Sequence, residues 1–205
     1  MSGCGCNSAC DAASPDPGYR RALWVALVLN VLMFGVELVS SFSAHSVSLL
    51  ADAVDFLGDA GNYGVALFVL GLAPVWRSRS ALWKGALMFG YGLFVLGKTA
   101  WQWSAGVVPE PAIMGWVSLI ALVVNLGVAV LLYAHRQGDA QARSVWLCSR
   151  NDALGNIAVM GAAGAVWATG RGWPDIAVAV ALAALALTSG AAVIRHAKDE
   201  LRAGV

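Results

Sequence analysis

Six apolar runs, each about as long as a membrane-spanning helix, fill most of this 205-residue chain. Crossing the roughly 30 Å hydrocarbon core of a bilayer takes about 20 helical residues. The runs cover residues 21–42, 47–72, 81–103, 112–134, 144–168 and 174–195. Because polar and apolar residues do not alternate over any long stretch, the pattern favours helices over a β-barrel. The expected fold class is all-α, a bundle of six transmembrane helices.

The composition agrees with a membrane protein. Hydrophobic residues make up 59% of the chain and charged residues only 12%, against about 25% charged in a soluble domain. The first nineteen residues contain no apolar run, so no cleavable signal peptide is expected. We expect a multi-pass integral membrane protein, in the bacterial inner (plasma) membrane. The net charge of +1 gives no indication of a nucleic-acid partner.

Ten of the thirteen Lys and Arg residues lie on one side of the six spans, and Lys98 and Arg150 fall within spans three and five. The ten are Arg20, Arg21, Arg77, Arg79, Lys84, Arg136, Arg143, Arg195, Lys198 and Arg202. The opposite loops hold only Arg171. The positive-inside rule then predicts that both termini are cytoplasmic. The domains expected are a cytoplasmic tail at 1–19, a transmembrane domain at 20–196 and a short cytoplasmic tail at 197–205.

Four aspartates interrupt the second and fifth of these spans. Asp52, Asp55 and Asp59 lie in the second span and Asp152 in the fifth. A charged group at the bilayer centre costs roughly 2.5–3.5 kcal/mol on insertion scales, and such groups mark ion pathways. Because residues four apart share a helix face, Asp55 and Asp59 project together, as do Cys148 and Asp152.

The depths of the two pairs also agree. At 1.5 Å per residue, Asp55 lies roughly 14 Å from the outer face and Asp59 roughly 20 Å. Asp152 lies roughly 14 Å from the inner face and Cys148 roughly 8 Å. If the second and fifth spans touch, Asp152 is expected beside Asp55 and Cys148 beside Asp59, at mid-membrane.

Three carboxylates and a thiol suit a borderline cation such as Zn²⁺, whose ligands are oxygen, nitrogen and sulfur. Hard ions such as Mg²⁺ prefer more oxygen ligands. Without a cation some of these carboxylates would hold protons, and a metal would displace them. The sequence therefore predicts exchange of a divalent metal for protons, with Asp55, Asp59, Cys148 and Asp152 as ligands. The alternative for Cys148 is a small packed side chain without a ligand role.

Three further polar residues are secondary candidates for a metal site or an ion path. Asp52 is expected to hydrogen-bond to a neighbouring helix. Glu37, near the outer side of the first span, is either part of an exit path or surface-facing. Asn151 is either a ligand or an interhelical hydrogen bonder.

The N-terminal tail carries Cys4, Cys6 and Cys10. In a cytoplasmic tail these thiols should be reduced, and thiolates bind soft or borderline metals. They are expected to capture metal and deliver it to the inner mouth. The alternative is an unstructured tail without a role.

Motifs in the second, fifth and sixth spans resemble those of a known family. Residues 46–53, SVSLLADA, followed by Asp55 and Asp59, resemble the second-span signature of the cation diffusion facilitators. Residues 152–156, DALGN, and 173–175, WPD, resemble their fifth span and its exit into the sixth. Members export divalent transition metals, usually by proton antiport and as dimers. The resemblance implies a metal site at Asp55, Asp59, Cys148 and Asp152, and no enzymatic activity.

The chain departs from the family pattern in two ways. Cys148 stands where zinc members often have His, so Zn(II) is favoured but Cd, Co, Ni, Fe and Mn stay open. The resemblance is to a short member without the cytoplasmic C-terminal domain and without the His-rich loop. A homodimer, if formed, is then expected to pack through the membrane domain, at the glycines of span three or at Gly161, Gly164 and Ala165. The alternative functions are a passive cation channel and a membrane metal sensor or scaffold that does not transport.

Overall fold

The computed structural model describes residues 17–68, 74–134 and 141–203, except that the side chains of 141–151 and of residues 17, 19, 66, 74, 75, 77, 133, 134 and 203 are not described. Within these ranges the chain is all-helical. The helices are α1 (Pro17–Ser43), α2 (Val47–Phe68), α3 (Pro74–Ala105), α4 (Pro111–Ala134), α5 (Gln141–Thr169) and α6 (Trp173–Ala203). All six predicted helices are confirmed. The bounds differ most for α3, which begins at Pro74 and not near 81, and for α6, which continues to Ala203 and not only to 195.

Proline and glycine mark several helix ends. Helices α1, α3 and α4 begin at Pro17, Pro74 and Pro111. Proline is tolerated at the first position because the backbone N–H that it lacks would have no acceptor within the helix. Gly106 and Gly170 follow the last residues of α3 and α5, both with φ of 63°. This left-handed conformation ends a helix without the steric penalty of a Cβ. The connections at this end of the bundle are therefore short.

The bundle is apolar on its outer surface, and its core is apolar with some buried polar groups. Large apolar side chains point outward, such as Trp167 at 80% exposure and Val39 at 66%, whereas Asn30, Glu37 and Ser118 are fully buried. An apolar outer surface suits a lipid solvent. Within the described residues four helical segments are long and apolar enough to cross a membrane, at 20–43, 78–105, 111–132 and 173–202. The other two helices, α2 and α5, carry the acidic residues.

The helices pack in three main pairs, α3 with α6, α1 with α2, and α4 with α5, while α2 also contacts α3, α5 and α6. Glycines allow the α3–α6 contact. A Cβ built on Gly190 would lie 3.1 Å from the carbonyl oxygen of Gly85 and 3.0 Å from the Phe89 nitrogen. Close backbone approach of this kind is typical of membrane helix pairs. The central position of α2 brings its acidic face toward α1, α3 and α5.

Candidate metal site

The α2 helix presents its three carboxylates at two different depths of burial. Asp52 is 1% exposed, whereas Asp55 and Asp59 are each partly exposed. Asp55 and Asp59 are four residues apart, which places them on one face. The two sequence-predicted ligands of this helix are therefore accessible, while Asp52 is enclosed among helices.

Gly155 lets α5 approach this acidic face. A Cβ built on Gly155 would lie 3.1 Å from Asp52 Oδ1 and 3.6 Å from Asp55 Oδ2. Asp152, one turn earlier on α5, is partly exposed and interacts electrostatically with Asp59, Asp55 and Asp52, most strongly with Asp59. The structure thus brings Asp152 into the same cluster as the acids of α2.

The register of the two helices differs from the depth arithmetic. Counting residues from each membrane face predicted that Asp152 lies beside Asp55. In the structure Gly155 lies beside Asp55, and Asp152 interacts more strongly with Asp59 than with Asp55. Counting residues from each membrane face treats both helices as straight and upright. Helix tilt and packing decide the actual register.

Asp59 has neighbours that hydropathy did not predict. The side chains of Tyr63 and Asn62 lie within hydrogen-bonding reach of its carboxylate, and Lys84 of α3 interacts with it electrostatically. The Lys84 ammonium donates a hydrogen bond to Asn62 Oδ1. The sequence reading counted Lys84 only as a topology signal. No pattern in the sequence shows that it faces Asp59, because that depends on how α3 rotates about its axis.

Glu37 of α1 pairs with Asp52. Glu37 is buried and not surface-facing, at 0% exposure, and its carboxyl lies within hydrogen-bonding reach of the Asp52 carboxyl. None of their four oxygens accepts a hydrogen bond from any other described group. Enclosed carboxyl groups can hydrogen-bond to each other only when one carries a proton. Through Asp52 this pair lies next to Asp55.

Asp175 fixes the outer end of α2. Asp175 Oδ1 accepts hydrogen bonds from the hydroxyls of Ser46 and Ser48, both at 2.6 Å, and from the Ser48 amide at 3.0 Å. Its Oδ2 accepts from the Val47 amide at 2.9 Å and from Gln102 Nε2 at 3.2 Å. A carboxylate at a helix N-terminus is favoured by the helix dipole. The residues that resembled the family motif here thus join α2, α3 and α6.

Other sequence-predicted site residues lie outside what the structure describes. The backbone of Cys148 and Asn151 belongs to α5, but their side chains fall in 141–151, and Cys4, Cys6 and Cys10 precede residue 17. Among the described side chains, no group of three or more His, Cys, Asp or Glu is close enough to hold a metal ion as it stands. The described carboxylates are therefore clustered but not at ligand distance.

Comparison with known proteins gives a consistent result. The family model of the cation efflux transmembrane domain matches residues 23–202. Metal cation efflux system protein CzcD of Cupriavidus metallidurans is 24% identical over 92% of this chain and 63% of its own length. The cadmium, cobalt and zinc/H(+)-K(+) antiporter of Bacillus velezensis is 26% identical over 90% of this chain and 64% of its own. Metal tolerance protein A2 of Arabidopsis thaliana is 29% identical over 55% of this chain and 32% of its own. The chain thus spans less than two thirds of the length of each of these relatives.

Proposed function

The chain belongs to the cation efflux family, and from that membership we propose that it exports divalent transition-metal ions from the cytoplasm in exchange for protons. This is a family of transporters and not of enzymes, and the chain is a multi-pass integral protein of the bacterial plasma membrane. The observation that carries the proposal is the contact of α2 with α5 at Gly155, which gathers Asp55, Asp59 and Asp152 inside the bundle. These carboxylates, with Cys148, are the proposed metal ligands.

A divalent cation would be attracted to these carboxylates, which repel one another when no cation is bound. Carboxylates that crowd one another in a low-dielectric interior favour either a bound cation or bound protons. Two positive charges entering the cluster would draw Asp59 and Asp152 inward to ligand distance and release those protons. Metal binding and proton release are thereby coupled.

The Glu37–Asp52 pair is the proposed route for protons between the metal ligands and the outer face of the membrane. Both side chains are enclosed, and they lack other hydrogen-bond donors in the described part of the chain. Asp52 and Asp55 both face Gly155, so this pair lies next to a proposed metal ligand.

Zn(II) is the favoured substrate, since a thiol among carboxylates suits a borderline ion, and Cd or Co fit the same ligands. Among the relatives, the Bacillus velezensis antiporter carries cadmium, cobalt and zinc in its name. The thiols of Cys4, Cys6 and Cys10 are proposed to collect metal at the cytoplasmic side. Asn151, one residue before Asp152, is proposed as an auxiliary ligand.

Orientation and assembly complete the proposal. We place both termini in the cytoplasm because Arg20, Arg21 and Arg202 lie at the same end of the helices. For a homodimer, the glycines of α3 divide into two sets. Gly85 and Gly92 are covered by α6, whereas Gly90 and Gly97, like Gly161 and Gly164 of α5, have nothing within 4 Å. The uncovered glycines are the proposed dimer contacts.

Flux in vesicles tests this function. Asp59→Ala and Asp152→Ala should each abolish Zn²⁺ accumulation driven by a pH gradient, because each removes a ligand and a proton acceptor. Asp199→Ala is the matched control, since Asp199 is an exposed carboxylate, 73% exposed, near the end of α6. Wild-type flux in either ligand variant would refute the site. Flux that persists after the pH gradient is collapsed would refute proton exchange and favour a channel.

A further inference from the structure

A positive charge lies at the same depth as Asp59. Lys84 is about 15 Å along α3 from its start at Pro74, and Asp59 is about 14 Å from Phe68, the last described residue of α2. The two helices follow one another and run in opposite directions, so both distances are measured from the same end of the bundle. Lys84 therefore reaches the acidic cluster sideways, from a neighbouring helix.

Two glycines of α2 make room for α3 at this level. A Cβ built on Gly61 would lie 3.3 Å from Lys84 Cδ and 3.4 Å from its Cγ, and one on Gly58 would lie 3.2 Å from Met88 Cε. The aliphatic stem of Lys84 thus lies along α2 in a groove that only glycine leaves open. This packing directs the ammonium along α2 toward the acids and away from lipid.

The end of the lysine side chain is held next to Asp59. Lys84 Nζ donates to Asn62 Oδ1, and the Asn62 side chain lies in turn within hydrogen-bonding reach of Asp59. Asn62 is three residues after Asp59, on the same face of α2. The amide therefore links the ammonium to the carboxylate, and Lys84 does not form a direct ion pair with Asp59 at 4 Å or less.

We propose that Lys84 is a tethered cation that competes with the transported metal ion for Asp59. This inference rests on the proposed function, because it takes Asp59 as a metal ligand. When no metal is bound, the ammonium supplies positive charge beside the carboxylate. When a dication binds Asp59, the ammonium, which Asn62 holds beside that carboxylate, repels it.

Such competition would keep metal affinity moderate. A transporter must release its ion, and a site of several carboxylates in a low-dielectric bundle would otherwise hold a dication tightly. A nearby fixed positive charge opposes the bound metal more than it opposes a proton, because the metal carries twice the charge. Neutralising Lys84 should therefore strengthen metal binding, whereas losing a merely structural contact would weaken it or leave it unchanged.

The test measures Zn²⁺ affinity by calorimetry on the purified full chain in detergent. Lys84→Met and Lys84→Gln remove the charge, and Lys84→Arg keeps it. Lys98→Met is the matched control, because Lys98 is on the same helix but its ammonium lies 4.4 Å from the centre of the Trp101 ring. The two neutral variants should bind Zn²⁺ about tenfold more tightly or more, and the Arg and Lys98 variants should bind like wild type.

The transport readout has a distinct signature. In vesicles the neutral variants should lower the KM for Zn²⁺ without raising the maximal rate, since tighter binding does not speed release. Unchanged or weaker Zn²⁺ binding in both neutral variants would overturn the competition. Asp59→Ala, measured alongside, separates the two inferences: wild-type binding in that variant would overturn the proposed metal site itself, whereas lost binding there with unchanged affinity in the Lys84 variants would overturn only the role of Lys84.

Discussion

Adding one methyl group at Gly155 should separate the two helices that form the metal site. In Gly155→Ala the new Cβ would lie 3.1 Å from Asp52 Oδ1, where ordinary contacts are 3.4–4 Å, so the carboxylate or the helix must move by a few tenths of an ångström. Metal–ligand distances tolerate only about 0.2 Å. The affinity for Zn²⁺ should therefore fall by about tenfold, which is ~1.4 kcal/mol.

The effect on stability can be worked from the same contact. Overpacking costs about 1–3 kcal/mol, and replacing an interior helix glycine by alanine returns about 1 kcal/mol. Gly155→Ala should thus lie between neutral and about 2 kcal/mol less stable. Gly127→Ala on α4 is the control, because nothing lies within 4 Å of its Cβ position, and it should be stabilised by about 1 kcal/mol.

Both quantities are measurable on purified protein in detergent, by thermal unfolding without metal and by Zn²⁺ titration. Wild-type Zn²⁺ affinity in Gly155→Ala would refute the reasoning, since it would mean that the α2–α5 contact does not position the ligands. A loss of affinity in Gly127→Ala as large as in Gly155→Ala would also refute it, since it would show a general effect of added alanine.

Two further predictions concern single side chains. Asp175→Asn replaces one carboxylate oxygen by an NH₂ group, which cannot accept the hydrogen bonds that five donors now give to Asp175. The melting temperature in detergent should therefore drop, by the equivalent of about 3 kcal/mol. Asp199→Asn is the control, and equal melting temperatures of the two variants would mean that Asp175 does not hold α2 in place. Cys148→Ser replaces sulfur by oxygen, so Cd²⁺ affinity should fall by about tenfold or more while Mn²⁺ affinity changes little; an equal change for both ions would mean that Cys148 does not bind the metal.

The sequence alone determined the number and order of the helices. Runs of apolar residues, with Gly106 and Gly170 just past two helix ends, are local signals that do not depend on how the helices pack. The acidic residues of α2 and α5 were also evident, because a carboxylate in an apolar run is costly wherever its helix packs. The ligand roles of Asp55, Asp59, Asp152 and Cys148 stay predictions until metal binding is measured.

Only the tertiary structure decided which side chains meet. The contact of Gly155 with the acids of α2, the placement of Lys84 beside Asp59 and the pairing of Glu37 with Asp52 depend on the rotation and tilt of each helix. Those are set by close packing at small residues such as Gly61 and Gly155. Hydropathy is nearly the same for every rotation of a helix that carries apolar residues all round, so it predicts that a helix crosses the membrane but not which face it turns to its neighbour.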